Sequence, residues 1–189
     1  EILSLINKHG TELDTVLIQL GIFAVFAVPG YILAILLLDR TGRKSIQTLG
    51  FGVMGLMFLL IGLIPAVTVT VAPFVLLFGI SYFFTQFGPN TTTFVYPAEI
   101  FPVEVRTTGH GIAAAAGKLG AFIGAFLFPV FLGSAMGIRG ALVIAGLVAI
   151  AGMVATMALL PEPKGRSLEE LEDEAHERAP REVVWEAVA

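Results

Sequence analysis

The stretch GALVIAGLVAIAGMVATMALL, residues 140–160, contains no charged side chain. A helix that crosses a membrane needs about 20 consecutive, mostly apolar residues, and this stretch has that length. Four further apolar segments precede it, and the predicted membrane helices cover residues 15–38, 46–64, 72–96, 108–132 and 140–160. Strands are excluded because these runs are too long and show no alternation of apolar and polar residues. The sequence therefore predicts an all-α membrane protein with five transmembrane helices.

The composition also favours a membrane protein. Hydrophobic residues make up 56% of the 189 residues and charged residues only 14%, whereas soluble domains carry about 25% charged residues. The absence of cysteine excludes a disulfide scaffold and cysteine-ligated zinc or iron–sulfur sites. No phosphate-binding glycine loop, metal-ligand cluster or Ser-His-Asp set is apparent. We expect no enzyme activity, no cofactor, no metal and no nucleic-acid partner.

Basic residues predict the orientation of the chain. With five spans the loops alternate between two sides, and one side carries six basic residues while the other carries Lys8 and Arg139. The positive-inside rule assigns the richer side to the cytoplasm of a cell membrane. Residues 1–14 then form an extracellular loop, 15–160 the helix bundle and 161–189 an acidic cytoplasmic tail. Because the chain starts outside and without Met, we expect at least one helix to precede it. The six basic residues on the predicted cytoplasmic side are Arg40, Arg43, Lys44, Arg106, Lys164 and Arg166.

Lys118 is the one formally charged residue well inside a predicted span. A charged side chain at the bilayer centre costs at least about 2.5 kcal/mol and normally faces the bundle interior with an anionic partner. Three interpretations stay open. Lys118 binds an anionic substrate, or it pairs with a carboxylate and takes part in proton coupling, or it extends to the cytoplasmic interface. The other four spans contain no acidic residue, so a carboxylate partner would have to come from outside this chain.

Polar residues recur at helical spacing along the third span and predict one polar face. Their amide and hydroxyl groups can donate several hydrogen bonds to an oxyanion. Polar contact between helices is the alternative interpretation. Pro89 lies in this stretch and Pro29 in the first span, and each predicts a kink because proline removes a backbone hydrogen bond. The polar residues are Tyr82, Gln86, Asn90 and Thr93.

Two charged loops on the predicted cytoplasmic side form a candidate gate. The motif DRTGRK, residues 39–44, joins the first two spans, and a second loop with Glu99 and Arg106 follows the third span. Their opposite charges predict that the loops pair with each other. The candidate gate residues are Asp39, Arg40, Arg43, Lys44, Glu99 and Arg106.

Two further patterns predict local packing. Gly109, Ala113 and Gly117 recur every four residues, a spacing that lets helices approach closely in lipid. Ser167 and Glu170 have the spacing of a capping box and predict a short helix in the tail.

These motifs also resemble those of a known family. The sequences DRTGRK at 39–44, PAEIFP at 97–102 with Arg106, and PEPKGRS at 161–167 are similar to the C-terminal half of the major facilitator superfamily. Within that superfamily, FGPNTTTF at 87–94 and the segment 110–121, with its Gly-Lys pair, resemble the phosphate:proton symporter family. The tripeptide Pro29-Gly30-Tyr31 agrees with it as well.

The resemblance implies a twelve-helix fold in two halves, of which this chain would supply helices eight to twelve. It implies uptake of inorganic phosphate with protons by alternating access. Asn90 would be a phosphate ligand and Lys118 would serve both substrate binding and proton coupling, with Gln86 and Tyr82 as additional donors. The implied partners are phosphate, protons, the lipid bilayer and the N-terminal half of the same transporter.

Three other functions compete with phosphate transport as interpretations of the sequence. A sugar porter of the same superfamily shares the two loop motifs, but such porters usually have Asn-Trp where this chain has Gly117-Lys118. A neutral sugar does not need a buried cation. An organic-cation carrier is disfavoured because Lys118 would repel its substrate. A non-transporting scaffold or receptor finds little support in the short tail.

Overall fold

The computed structural model describes residues 12–167, 169–171 and 173 of the chain. Helices α1, Glu12–Ile22, and α2, Val28–Thr41, are joined by a first π-helical segment, Phe23–Ala27. They are followed by α3, Arg43–Leu63, and by the short α4, Pro65–Val69. The next unit comprises α5, Val71–Thr85, a second π-helical segment, Gln86–Asn90, and α6, Thr91–Ile100. Helices α7, Arg106–Gly133, and α8, Gly137–Leu159, complete the described fold.

Five helical units are long and apolar enough to cross a membrane, which confirms the predicted number of spans. They are Val16–Thr41, Arg43–Leu63, Val71–Ile100, Arg106–Gly133 and Gly137–Leu159, called the first to fifth spans below. Most of the predicted extracellular loop, residues 1–11, lies outside the described residues, and so does most of the tail.

The most extensive helix contact joins α3 and α8, and glycines make it possible. A Cβ atom on Gly55 would lie 3.1 Å from the Gly146 carbonyl oxygen, and one on Gly146 would lie 3.0 Å from the Gly55 carbonyl oxygen. On the same helix, a Cβ on Gly62 would lie 2.8 Å from the Arg139 carbonyl oxygen. In lipid, where apolar side chains gain little from leaving the solvent, such backbone proximity allows van der Waals packing between helices.

The buried side chains form two clusters. One contains Ile61, Val67, Phe74 and Leu142, which come from the second, third and fifth spans and from α4. The other contains Ala34, Ile46 and Phe87, from the first three spans. These clusters fix the first, second, third and fifth spans as one packed unit.

The third span is broken at Pro89, which confirms the kink predicted there. Gly88 has non-helical angles of φ −100° and ψ −105°, and Pro89 has no N–H to donate. Two threonine side chains donate to carbonyl groups near the break. Thr91 Oγ1 donates to the Gln86 carbonyl at 2.6 Å and Thr92 Oγ1 to the Gly88 carbonyl at 3.0 Å. These hydroxyl groups add hydrogen bonds at the break, where the Gly88 carbonyl also accepts the backbone N–H of Thr91.

Pro29 has a different setting from Pro89. It lies in the first turn of α2, directly after the first π-helical segment. The backbone N–H of Val28, the residue before Pro29, donates to the Phe23 carbonyl five residues earlier, as in a π-helical turn. The widened π turn therefore takes up the irregularity that the sequence predicted at this point.

The fourth span packs differently from the other four. Helix α7 buries none of its residues among the described part of the chain. A Cβ on Gly109 would meet the Phe101 ring at 2.7 Å, but one on Gly117, Gly120 or Gly124 would meet no described atom within 4 Å. The small-residue stripe therefore has a neighbour only at its start, and the close helix packing predicted for Gly117 is absent from the described structure.

The predicted capping box after the fifth span is confirmed. The backbone N–H of Ser167 donates to Glu170 Oε2 at 3.1 Å, and the backbone N–H of Glu170 donates to Ser167 Oγ at 3.2 Å. Leu171, one residue later, is buried.

Candidate functional site

A cluster of three polar side chains lies inside the bundle at the kink of the third span. Asn90 donates from Nδ2 to Gln86 Oε1 and to the hydroxyl of Tyr31, which comes from the first span. Gln86 is buried, whereas Asn90 and Tyr31 are half-buried. The structure thus brings together two of the predicted phosphate-binding residues and adds a third residue that sequence reasoning did not select.

Gly30 explains how Tyr31 reaches this cluster. A Cβ atom at Gly30 would lie 2.6 Å from the Phe83 carbonyl oxygen and 3.3 Å from Gln86 Cβ. The missing side chain lets the first span lie directly against the third, and the neighbouring Tyr31 hydroxyl then meets Asn90. The tripeptide Pro29-Gly30-Tyr31 was visible in the sequence, but nothing in the local pattern indicated which residue it would face.

The other predicted members of the polar face lie outside this cluster. Tyr82 is half-buried, stacks on Phe78 with ring centroids 6.4 Å apart, and makes no hydrogen bond to a described residue. The Thr93 hydroxyl donates to the Pro89 carbonyl within its own helix. The Thr93 hydroxyl therefore forms a hydrogen bond next to the kink and none within the polar cluster.

Lys118 is exposed on α7 and makes no hydrogen bond or ion pair with any described residue. The resemblance implies that Asn90 and Lys118 both serve substrate binding, and the described structure shows no contact between these two residues. Because the fourth span has an open face, a partner for Lys118 has to approach from outside the described residues. The three interpretations of Lys118 therefore remain predictions.

A second cluster links the charged loops at one end of the bundle. The Arg43 guanidinium contacts Glu99 through two nitrogens, with Nε 2.8 Å from Oε2 and Nη2 2.7 Å from Oε1. The same Nη2 lies 2.9 Å from Asp39 Oδ1. A two-nitrogen contact of this kind matches the planar shapes of guanidinium and carboxylate and fixes their orientation. The structure thus joins the second span to the end of the third.

Glu162, which follows the fifth span, completes this cluster. Its Oε1 accepts the backbone N–H of Arg43 and its Oε2 accepts that of Lys44, both at 3.0 Å. These N–H groups open α3 and have no partner within the helix, and the negative charge suits the positive end of the helix dipole. Glu162 therefore caps a helix that lies more than a hundred residues earlier in the chain.

Arg40 and Lys44 take part in the charged cluster through their backbones, and Arg106 contacts the loop that precedes it. Lys164 Nζ donates to the backbone carbonyl of Arg40 at 2.6 Å, so the backbone of Arg40, and likewise that of Lys44, takes part. Arg106 Nε donates to the Phe101 carbonyl at 3.0 Å. Sequence reasoning left Glu162 out of the gate, although an acid next to the fifth span on the basic side was a usable signal. Within the described residues, no group of three His, Cys, Asp or Glu side chains is arranged to hold a metal ion.

Comparison with known sequences gives relatives that are named as inorganic phosphate transporters. The chain is 44% identical over 165 residues to a "Probable inorganic phosphate transporter 1-12" of Oryza sativa subsp. japonica, with 78% of this chain and 30% of the relative covered. It is 39% identical over 163 residues to a "Probable inorganic phosphate transporter 1-6" of Arabidopsis thaliana, with 83% and 31% covered. A "Low affinity inorganic phosphate transporter 1" of Petunia hybrida is 42% identical, with 78% and 30% covered. The chain thus spans about a third of the length of these relatives.

Comparison of structures and family models gives the fold. A crystal structure of a double tryptophan mutant of XylE matches with a TM-score of 0.74 and 25% identity, over 92% of this chain and 38% of that one. The family model "Sugar (and other) transporter" matches residues 4–175. The resemblance noted in the loop motifs is therefore confirmed, and the chain belongs to the sugar (and other) transporter family of the major facilitator superfamily.

Proposed function

We propose that the protein is a secondary active transporter that takes up inorganic phosphate with protons by alternating access. The observation that carries this proposal is the identity of 39–44% to relatives named as inorganic phosphate transporters. The polar cluster at the kinked third span supports it, because broken helices at membrane depth commonly form substrate sites in such transporters.

The chemistry of the ligand fits the side chains that the chain offers. Phosphate near neutral pH is an anion and needs charge balance and several donors in a medium of low polarity. Asn90 and Gln86 provide amide donors, and Tyr82 lies one turn before Gln86. Lys118 provides the positive charge and exchanges it between phosphate and a carboxylate partner from the rest of the transporter, which then takes up the proton.

The position of Lys118 argues against a purely interfacial role. It lies 12 residues after the start of the fourth span and 15 before its end. Because a helix rises about 1.5 Å per residue, the Lys118 Cα lies about 18 Å from the nearer end of the span, which is farther than a lysine side chain extends. This position favours an anionic partner for the ammonium group over a purely interfacial role.

The charged cluster around Arg43 acts as a gate on the cytoplasmic side in this proposal. Asp39, Glu99 and Glu162 all contact Arg43, so they hold together the ends of the first, second, third and fifth spans. Because these contacts lie within one half of the transporter, they would keep the cytoplasmic ends of that half together while the two halves rock. The excess of basic residues at this end supports a cytoplasmic tail and a location in the cell membrane.

Uptake by purified protein tests the function. The complete protein that carries this sequence is reconstituted into liposomes, and entry of labelled phosphate is measured with and without an inward proton gradient. We expect gradient-dependent uptake that excess phosphate, but not glucose, inhibits. In the same assay Lys118→Ala should abolish coupled uptake, whereas Lys118→Arg, which keeps the charge, should retain part of it. Undiminished uptake by Lys118→Ala would disprove the coupling role of Lys118.

Sugar transport is the second candidate function. It is favoured by the name of the matching family model and by the fold shared with XylE. Labelled glucose and xylose in the same liposomes separate the two candidates. Uptake of a sugar without uptake of phosphate would keep the family and replace the substrate. A protein that transports neither solute would instead point to a scaffold.

A further inference from the structure

Tyr31 has a role that the sequence motifs did not assign. Its hydroxyl accepts a hydrogen bond from Asn90 Nδ2, and this contact joins the first span to the kink of the third. Gly30 makes the contact possible because a side chain there would collide with the Phe83 carbonyl oxygen. The position of the Asn90 amide is therefore set by two neighbours, Tyr31 from another helix and Gln86 from its own.

The hydrogen bonds in this cluster leave particular donors unused. An asparagine amide has two N–H groups, and Asn90 Nδ2 donates to the Tyr31 hydroxyl and to Gln86 Oε1. The Tyr31 O–H and the Gln86 Nε2 group donate to no described residue. Two unused donors thus flank Asn90, and they come from two different spans. A ligand that bears several acceptor oxygens and few donors matches this arrangement.

We propose that Tyr31 is a positioning and specificity residue for the oxyanion. It holds the Asn90 amide in place and directs its own hydroxyl proton towards the same ligand. Recognition is thereby shared between the first and third spans, and closure of the site depends on both. This inference rests on the proposed phosphate transport and deepens it.

Tyr31→Phe tests the proposal because it removes a single oxygen atom and keeps the ring. In liposomes with the complete protein, we expect the KM for phosphate to rise about tenfold or more, the loss typical of a hydrogen bond to a charged group. The maximal rate should change by less than about twofold, as for a residue that binds ground state and transition state alike. Phosphate should also raise the melting temperature of this variant less than that of the wild type at the same concentration.

Asn90→Ala and the double variant test whether Tyr31 acts through Asn90. If Tyr31 positions Asn90, the fold-increase in KM of the double variant is smaller than the product of the fold-increases of the two single variants. Independent, multiplicative effects would contradict the positioning role. Tyr31→Gln serves as a rescue, since an amide can accept from Asn90 and also donate, and its KM should lie between those of the wild type and Tyr31→Phe.

Ser81→Ala is the matched control. Like Tyr31→Phe it removes one hydroxyl, here from a buried residue of the third span, but the Ser81 hydroxyl donates to the Phe78 carbonyl at 2.7 Å within its own helix. We expect its KM to equal that of the wild type. A wild-type KM in Tyr31→Phe would overturn the inference while leaving phosphate transport intact. A wild type that carries no phosphate at all would overturn both.

Discussion

Single residues decide the geometry of the charged cluster, and Gly42 is the clearest case. Its backbone has φ +98° and ψ 152°, a region open almost exclusively to glycine. A Cβ atom there would also lie 2.5 Å from Glu162 Oε2. The glycine in the DRTGRK motif is thus required twice, once for the turn between α2 and α3 and once for access of Glu162 to the start of α3.

Gly42→Ala should lower the free energy of unfolding by about 3 kcal/mol, because backbone strain adds to the collision with Glu162. Gly165→Ala is the control. Gly165 also has a positive φ, +76°, but a Cβ there would meet nothing within 4 Å. Its cost should be only about 1 kcal/mol. Thermal unfolding of the purified variants measures both values, and equal melting temperatures would show that Glu162 does not constrain position 42.

At the scale of elements, the third span depends on its neighbour α3. The kink at Gly88 lies directly against Gly50, and a Cβ on either glycine would lie 2.5 Å from the Cα of the other. The two backbones therefore cross at the break in the helix. Since Gln86 and Asn90 flank this break, the crossing also places the candidate phosphate site.

Gly50→Ala should therefore cost about 1–3 kcal/mol through overpacking and should also weaken phosphate binding. Gly52→Ala is the control. Gly52 lies on the same helix, and a Cβ atom there would meet only Met153 Sδ, at 3.0 Å. A methionine side chain can move aside, so this control should stay close to the wild type in both respects. The melting temperature and the phosphate KM of both variants test this prediction. Similar behaviour of the pair would mean that the helix crossing tolerates a methyl group.

At the scale of the whole molecule, the orientation that the basic residues predict can be tested by chemical labelling. The 189 residues contain no cysteine, so single cysteines can be introduced without background from this part of the chain. Ser134 lies between the fourth and fifth spans, and Glu104 lies between the third and fourth. The predicted topology puts these two exposed positions on opposite sides of the membrane.

In intact cells a membrane-impermeant maleimide should label Ser134→Cys and leave Glu104→Cys unlabelled. Both should react after the cells are permeabilised, which controls for expression and reactivity. Any cysteine elsewhere in the complete protein is first replaced by serine. Labelling of Glu104→Cys alone before permeabilisation would invert the proposed orientation and place the Arg43 cluster outside.

The sequence by itself determined the membrane class, the number of spans and the break at Pro89. These depend on local properties, namely the length of apolar runs and the missing N–H of proline, so neighbouring residues suffice to predict them. The opposite charges of Arg43 and Glu99 likewise predicted that their loops meet, because their alternating placement put both on one side of the membrane.

Only the tertiary structure decided which distant residues complete each cluster. Tyr31 lies 59 residues from Asn90, and Glu162 lies 119 from Arg43. Their contacts depend on how closely the helices approach, and that approach is set by missing side chains at Gly30 and Gly42. The period of a single helix carries no such information. For the same reason the sequence could not foresee that Lys118 would lie on an open face of the described bundle.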